Sequence, residues 1–225
     1  MLRKPGLFKS FWIAGYEGSD HINGKQIAQS LNAFNQHDVQ LSDDYVLLEQ
    51  FNINTVRESI GWRLSDDNNQ FNWQALEHKA RTAQSHWLQV IWTLMHYGWP
   101  KDLYPFGPKF VGRFAKYCEA VARKLKHYSD ETPFYQPLNE ISFLSWAMTH
   151  TGLIHPFNPS FYHRSFELKR QLVLVALRGS EAIWSVDPRA RIIHTDPIIH
   201  ITSPFNASSE QLEDTKRHNE YAFQA

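Results

Sequence analysis

The regular alternation of strand-like and helix-like segments limits the folds open to this chain more than any other feature. Short apolar runs are each followed by a longer amphipathic stretch, and the clearest run, 88–94, is typical of a strand buried on both faces. Because parallel strands need helical crossovers of this length, the alternation predicts a parallel sheet joined by helices. Strands are predicted at 11–14, 54–57, 88–94, 133–138 and 191–195, and a sixth is expected to begin at 221–225.

The helical segments are predicted from apolar residues that recur every three or four positions. They cover 73–87, 110–125 and 161–185, and a shorter helix is expected to start at Ser42 and end near Phe51. Pro137 lacks an N–H donor, which argues against a regular central strand at that position and leaves an early end of the fourth strand as the alternative. Neither a linker nor an internal repeat interrupts the sequence, which predicts a single domain over 1–225.

Charge and hydropathy exclude several classes of partner. Lys plus Arg equals Asp plus Glu at 23 each, and the pI is about 7.2, so the bulk charge favours neither nucleic acid nor an anionic membrane. The apolar runs are far shorter than the roughly 20 residues of a membrane span. The first 14 residues lack a continuous signal-peptide core, and a cytoplasmic protein is therefore expected.

Polar and aromatic side chains follow each predicted strand. In a barrel, the carboxyl ends of parallel strands meet at one rim and form a single concave surface. Indole and phenol rings stack on sugar rings while amides, imidazoles and carboxylates bind the hydroxyls, so this surface predicts a small carbohydrate as substrate. The side chains concerned are Glu17 after the first strand, Arg57 after the second, His96, Tyr97 and Trp99 after the third, and Asn139 with Glu140 after the fourth.

Two segments carry a resemblance to a known family. The stretch 133–140, which ends in Asn139-Glu140, and the stretch 91–100, which contains His96, resemble glycoside hydrolase family 1 and the wider clan of (β/α)8 retaining glycosidases. The resemblance implies a β-glucosidase-like hydrolase of carbohydrate metabolism. It also implies an incomplete (β/α)8 TIM-type barrel of about five βα units plus the start of a sixth strand.

The resemblance also implies roles for individual residues. Glu140 becomes the general acid/base, Asn139 binds the sugar 2-hydroxyl, His96 contacts the sugar and Arg57 supports the nucleophile. Glu17 stands where a glutamine is expected, so it is a candidate sugar contact. Tyr97 is a further candidate for substrate binding, and Trp99 is the better stacking platform among the tryptophans.

The family nucleophile is a glutamate on a seventh strand, beyond the last strand predicted in this chain. We therefore expect the 225 residues alone to be inactive, because Glu58, the alternative nucleophile, follows the second predicted strand, two strands away from Glu140. The sequence departs from the family at Ile141, which stands where a proline usually follows Asn-Glu. Alternatives are a non-catalytic sugar-binding partial barrel, a homo-oligomer in which two copies close one barrel, and a different enzyme on the same scaffold. Neither a metal nor a cofactor is expected, since His150, His155 and His163 lack ligand spacing.

Overall fold

A five-stranded parallel sheet lies at the centre of the computed structural model, which describes residues 6–221 apart from the side chains of Pro159 and Tyr221. In chain order the elements are β1 (Ala14–Gly15), β2 (Asp20–Ile22), β3 (Ala28–Ser30), α1 (Leu31–Phe34), α2 (His37–Gln50), β4 (Thr55–Ser59), α3 (Trp62–Ser65), β5 (Asp66–Asp67), β6 (Gln70–Phe71), α4 (Gln74–Ser85), β7 (Gln89–Met95), α5 (Lys109–Leu125), β8 (Phe134–Leu138), α6 (Ile141–Trp146), a π-helical turn (Ala147–Thr151), a 3₁₀ helix (Pro159–Arg164), α7 (Ser165–Val186), β9 (Arg191–Ile192) and α8 (Ser209–Tyr221).

The strands of this sheet lie side by side in the order in which they occur in the chain, β1-β4-β7-β8-β9, and every neighbouring pair is parallel. Helices connect successive strands, so the predicted alternation is confirmed. The main core lies between the sheet and the helices. Gly179 of α7 allows close packing there, because a Cβ at this position would lie 2.9 Å from the Phe114 ring of α5.

Side chains of β4 alternate between the two faces of the sheet, and this separates two polar residues that are adjacent in sequence. Arg57 shares a face with Thr93 of β7, to which it donates a hydrogen bond. Glu58 lies on the opposite face and meets His37 of α2 and Lys79 of α4. One strand thus directs a cation into the inner face of the sheet and an anion towards the helices.

Two predictions near the N-terminus are wrong in their boundaries. The first strand is Ala14–Gly15 rather than 11–14, because Phe11 and Trp12 are 89% and 71% exposed and pack on each other instead of on the sheet. The second helix begins at His37 rather than Ser42. The Asn35 side chain accepts a hydrogen bond from the His37 N–H at 3.0 Å, and this bond fixes the earlier start.

Later strands also differ from their predicted bounds. β8 continues through Pro137, since the register pairs Gln136 with Thr93 and Leu138 with Met95 and omits the proline. The fifth strand is only Arg191–Ile192, although Thr195 forms one further bridge to Asn139. The predicted sixth strand at 221–225 lies outside the described residues except for Tyr221, which ends α8.

Among residues 6–221, every helix is too short or too polar to cross a lipid bilayer.

Candidate active site

Six of the seven predicted site residues converge at the carboxyl end of the sheet. An unbroken set of contacts joins Arg57 at the end of β4 to Asn139 after β8, and Asn139 to Tyr97 after β7. Tyr97 donates to Glu140, and His96 lies beside Glu17. The prediction that these segments meet at one rim is confirmed, because parallel strands bring their carboxyl ends together.

A buried amide is the centre of this cluster. Asn139 is 2% exposed, and its Oδ1 accepts hydrogen bonds from Arg57 Nη2 at 2.8 Å, Gln136 Nε2 at 2.8 Å and Thr195 Oγ1 at 3.2 Å. Arg57 Nε also donates to Thr93 Oγ1 at 2.9 Å. Burial lowers the pKa of Arg57, while Glu17 and Glu140 act against this. Its hydrogen bonds to Asn139 and Thr93 hold the guanidinium against neutral oxygen acceptors.

The Glu140 carboxylate lies at the surface of the cluster, half-buried, and accepts a hydrogen bond from the Tyr97 hydroxyl. Its backbone has φ of 50° and that of Tyr97 has φ of 76°, both in the left-handed region that side-chain-bearing residues rarely adopt. Such conformations cost about 1–3 kcal/mol and occur at sites where a side chain must point in an unusual direction. Here they aim Tyr97 and Glu140 at each other.

His96 and Glu17 form a second contact at the rim. His96 Nε2 lies 3.6 Å from Glu17 Oε1, and the imidazole is 4% exposed whereas the Glu17 side chain is 56% exposed. Burial, with smaller contributions from Arg57 and His21, lowers the pKa of His96 to about 4, against the attraction of Glu17. His96 is therefore neutral at pH 7, and the contact is not an ion pair. A neutral imidazole can both donate to and accept from a hydroxyl.

Trp99 is set apart from the other predicted site residues. It is 8% exposed and packs edge-on against Phe110, with ring centroids 5.7 Å apart, so most of its surface belongs to the core. It also borders a cavity of about 360 Å³ beside Tyr97, with His21 and Arg63 on the same wall. Its role as a sugar platform stays a prediction that this packing does not favour.

A larger cavity of about 660 Å³ lies beside α6, and Glu140 is not part of its lining. Phe143, Trp146 and Tyr162 contribute aromatic rings to this lining, and Trp146 is 42% exposed. Aromatic walls of this kind suit the apolar face of a sugar or an aryl group.

Sequence reasoning missed three residues that orient the cluster. Thr93 and Gln136 occupy paired positions in β7 and β8, and Thr93 Oγ1 donates to Gln136 Oε1 at 3.0 Å. Thr195 donates to Asn139. A single polar residue in the middle of each of two apolar strands is the signal that could have found the first two. Asp196, also outside the predicted set, accepts from the Ser142 N–H at 3.0 Å and holds the start of α6.

Glu58 takes no part in this cluster. It is fully buried and binds Lys79 Nζ at 3.0 Å, Tyr45 Oη at 2.9 Å and His37 Nε2 at 3.0 Å. Burial raises the pKa of Glu58, but Lys79 and His37 outweigh this and hold it below the usual range. Glu58 is therefore a structural anion on the helix-facing side of the sheet. Within residues 6–221, no three His, Cys, Asp or Glu side chains are grouped to hold a metal ion.

Comparisons with known proteins agree with this geometry. The family model described as Glycosyl hydrolase family 1 matches residues 14–225. Comparison with curated proteins gave no match. Among solved structures, the virulence factor SghA from Agrobacterium tumefaciens is 18% identical with a TM-score of 0.70, over 83% of this chain and 42% of that chain.

Two further structures cover 83% of this chain and 43% of their own. The AHE enzyme from Alicyclobacillus herbarius is 15% identical with a TM-score of 0.72. A family 1 β-glucosidase from Thermotoga maritima is 15% identical with a TM-score of 0.70. At these identities the likeness shows the fold alone. The chain spans less than half the length of these proteins, and its sheet and helices match part of their TIM-barrel fold.

Proposed function

Because the chain belongs to glycosyl hydrolase family 1, we propose that it carries the general acid/base of a retaining β-glycosidase. The observation that supports this most is the position of Glu140, a half-buried carboxylate at the rim where the strands end. Its side chain accepts a hydrogen bond from the neutral Tyr97. A carboxylate held by a neutral donor can take up and release a proton without breaking an ion pair.

In the proposed reaction, protonated Glu140 transfers its proton to the glycosidic oxygen while a second carboxylate attacks the anomeric carbon. The bond to the leaving group breaks, and a glycosyl-enzyme forms. Glu140, now ionised, then takes a proton from water, which attacks the same carbon and releases the sugar with retained configuration. Asn139, His96 and Glu17 bind sugar hydroxyls, and Arg57 fixes Asn139.

Retention needs two carboxyl groups about 5 to 5.5 Å apart. Glu58 does not fit this role, because it is fully buried and faces Lys79 on the far side of the sheet from Arg57. We propose that the nucleophile is contributed from outside the residues described, which agrees with a chain that spans about 42% of the SghA structure. The 225 residues by themselves are then expected to bind a β-glucoside without hydrolysing it.

The test is binding by the chain, combined with turnover by the protein that contains both carboxylates. Glucoimidazole, with which a Thermotoga maritima β-glucosidase was crystallised, is a suitable probe for calorimetry on the chain. We expect saturable binding that Asn139→Ala weakens and the control variant Asn206→Ala, at an exposed position, does not. Absence of binding would contradict a sugar site here.

For turnover, Glu140→Ala is expected to lower hydrolysis of 4-nitrophenyl β-glucoside by about 10²- to 10⁴-fold, the usual contribution of a general acid/base. Azide is expected to restore part of the rate, because it attacks the glycosyl-enzyme without needing a base. Full activity in the variant would overturn the assignment of Glu140. Binding by the chain without turnover by the protein that contains both carboxylates would favour a non-catalytic sugar-binding protein.

A cytoplasmic location, the absence of nucleic-acid and membrane partners, and closure of a barrel by two copies stay predictions.

A further inference from the structure

Arg57 sets the direction of each hydrogen bond in the rim cluster, which consists of Arg57, Thr93, Gln136, Asn139, Tyr97 and Glu140. A guanidinium has only N–H donors, so whatever faces Arg57 must accept. The atom of Asn139 that lies 2.8 Å from Arg57 Nη2 is therefore its oxygen. The amide nitrogen consequently faces the other way, towards Tyr97 Oη at 3.1 Å.

A second route through the sheet gives the same direction. Arg57 Nε donates to Thr93 Oγ1 at 2.9 Å, so the Thr93 proton points onward to Gln136 Oε1 at 3.0 Å. With its oxygen accepting, Gln136 presents Nε2 to Asn139 Oδ1 at 2.8 Å. Both routes begin at Arg57 and end at Asn139 Oδ1. If the oxygen and nitrogen of the Asn139 amide were exchanged, its NH2 group would face two other donors, Arg57 Nη2 and Gln136 Nε2.

Tyr97 completes the sequence. Its oxygen accepts from Asn139 Nδ2, and its single proton is directed to Glu140 Oε2. Burial and the Glu140 carboxylate raise the pKa of Tyr97, so the phenol keeps its proton across the neutral range. The ring is held between His96 and Phe143, with centroids 4.7 and 5.2 Å away. Tyr97 is thus a fixed, one-way donor to one oxygen of Glu140.

We propose that Tyr97 is a positioning residue that reserves Glu140 Oε2 as an acceptor, so that Oε1 carries the proton exchanged with the substrate. The proposal rests on the proposed function of Glu140. In the acid step the Oε1–H bond breaks and an O–H bond to the leaving group forms; in the base step a water O–H bond breaks and Oε1–H re-forms. The Tyr97 proton stays on the phenol throughout, and the Oε2 contact keeps the carboxyl group from rotating between steps.

A spectroscopic test on the chain does not depend on activity. The Tyr97 hydroxyl proton is expected as a downfield signal in proton NMR, identified by its loss in Tyr97→Phe. Glu140→Gln should move this signal upfield, because an amide oxygen is a weaker acceptor than a carboxylate. Tyr16→Phe is the matched control, since it removes a phenol hydroxyl that binds the Asp44 carbonyl at 3.1 Å, away from Glu140. A Tyr97 signal that does not respond to Glu140→Gln would overturn the proposal.

A kinetic test on the protein with both carboxylates separates positioning from general damage. Tyr97→Phe is expected to lower kcat/KM for alkyl β-glucosides roughly 10- to 100-fold, the size of one hydrogen bond to a charged group. For 2,4-dinitrophenyl β-glucoside, whose leaving group needs no proton, glycosylation should fall less than about twofold. Equal losses with both substrates would contradict the proposal.

The outcomes also separate this proposal from the proposed function. If the Tyr97 signal responds to Glu140→Gln but Glu140→Ala keeps full turnover, the function assigned to Glu140 fails while the contact stands. If Glu140→Ala abolishes turnover and Tyr97→Phe has no effect that depends on the leaving group, the function stands and the role of Tyr97 fails.

Discussion

Glu58 and Glu140 belong to the same sheet, but the chain surrounds the two carboxylates in opposite ways. Glu58 is fully buried and held by a lysine ammonium and an imidazole. Glu140 is half-buried at the rim, accepts a hydrogen bond from the neutral phenol of Tyr97 and has a left-handed backbone. A carboxylate surrounded by buried cations stabilises the fold and cannot readily change its charge, whereas one held by a neutral donor is free to exchange a proton.

Removal of the Glu58 charge should have the largest effect on stability. Glu58→Gln leaves Lys79 and His37 buried without their anion, and we expect the free energy of unfolding to fall by about 3–5 kcal/mol. Glu140→Gln, which alters one rim hydrogen bond, should change it by less than about 1 kcal/mol. Urea denaturation of both variants measures the difference. Similar losses would remove the distinction between the two carboxylates.

A double-mutant cycle sharpens the structural side of the comparison. Lys79→Met alone leaves Glu58 without its lysine and Glu58→Leu alone leaves Lys79 without its carboxylate, whereas the variant with both changes removes the whole ion pair. The loss of unfolding free energy in the double variant should therefore be smaller than the sum of the two single losses. We expect a difference, the coupling energy, of about 2–3 kcal/mol, measured by urea denaturation. Additive losses would mean that the two groups do not depend on each other.

Backbone strain gives a smaller effect with opposite signs at the two positions. At Glu140, where φ is 50°, the glycine variant should be more stable than the alanine variant by about 1 kcal/mol. At Glu58, inside β4, glycine should be less stable than alanine by about 0.5–1 kcal/mol. Thermal or urea denaturation of the four variants checks this. A glycine variant at Glu140 that is no more stable than the alanine variant would show that Glu140 is not strained.

The smallest expected effect is on pH dependence. The pKa of Glu58 in the folded protein is lowered from 4.5. Its contribution to the free energy of unfolding is therefore fully present above pH 4.5 and is lost as the pH falls through the folded-state pKa. Burial lowers the pKa of His37, but Glu58 and Asp44 raise it above 6.5, so its contribution is lost as the pH rises through the folded-state value. Urea midpoints should therefore be highest between about pH 4.5 and 6.5. Glu58→Gln should flatten both sides of this profile.

The sequence predicted the fold where periodicity was strong. The apolar positions of 110–125 match α5, and the run 88–94 matches β7 to within one residue, because burial on known faces imposes those patterns. The prediction of a strand at 11–14 was wrong for 11–13, because an apolar sequence does not reveal that no strand pairs with those residues; of this run only Ala14 pairs, with Val56 of β4. The expectation that Pro137 interrupts the fourth strand was wrong. Proline disturbs a strand only where its N–H would be paired, and neighbouring strands decide which N–H groups are paired.

The candidate site could be predicted only for polar side chains that lie at or directly after the end of a strand. Asn139, Glu140, Arg57 and His96 each follow or end an apolar run. The contact between Thr93 and Gln136 depends on the register of β7 and β8, which residues 43 positions apart do not reveal in a single sequence. The same limit applies to Glu58, whose partners come from α2 and α4.

The order of the strands also bears on how the chain assembles during synthesis. Since β1, β4, β7, β8 and β9 are neighbours in the order in which the ribosome makes them, each new strand meets a partner that has already emerged. Growth from the N-terminus can therefore proceed one βα unit at a time, without waiting for a distant segment. Arg57 emerges before each of the partners that it orients, so the anchor of the hydrogen-bond network is in place before the residues that depend on it.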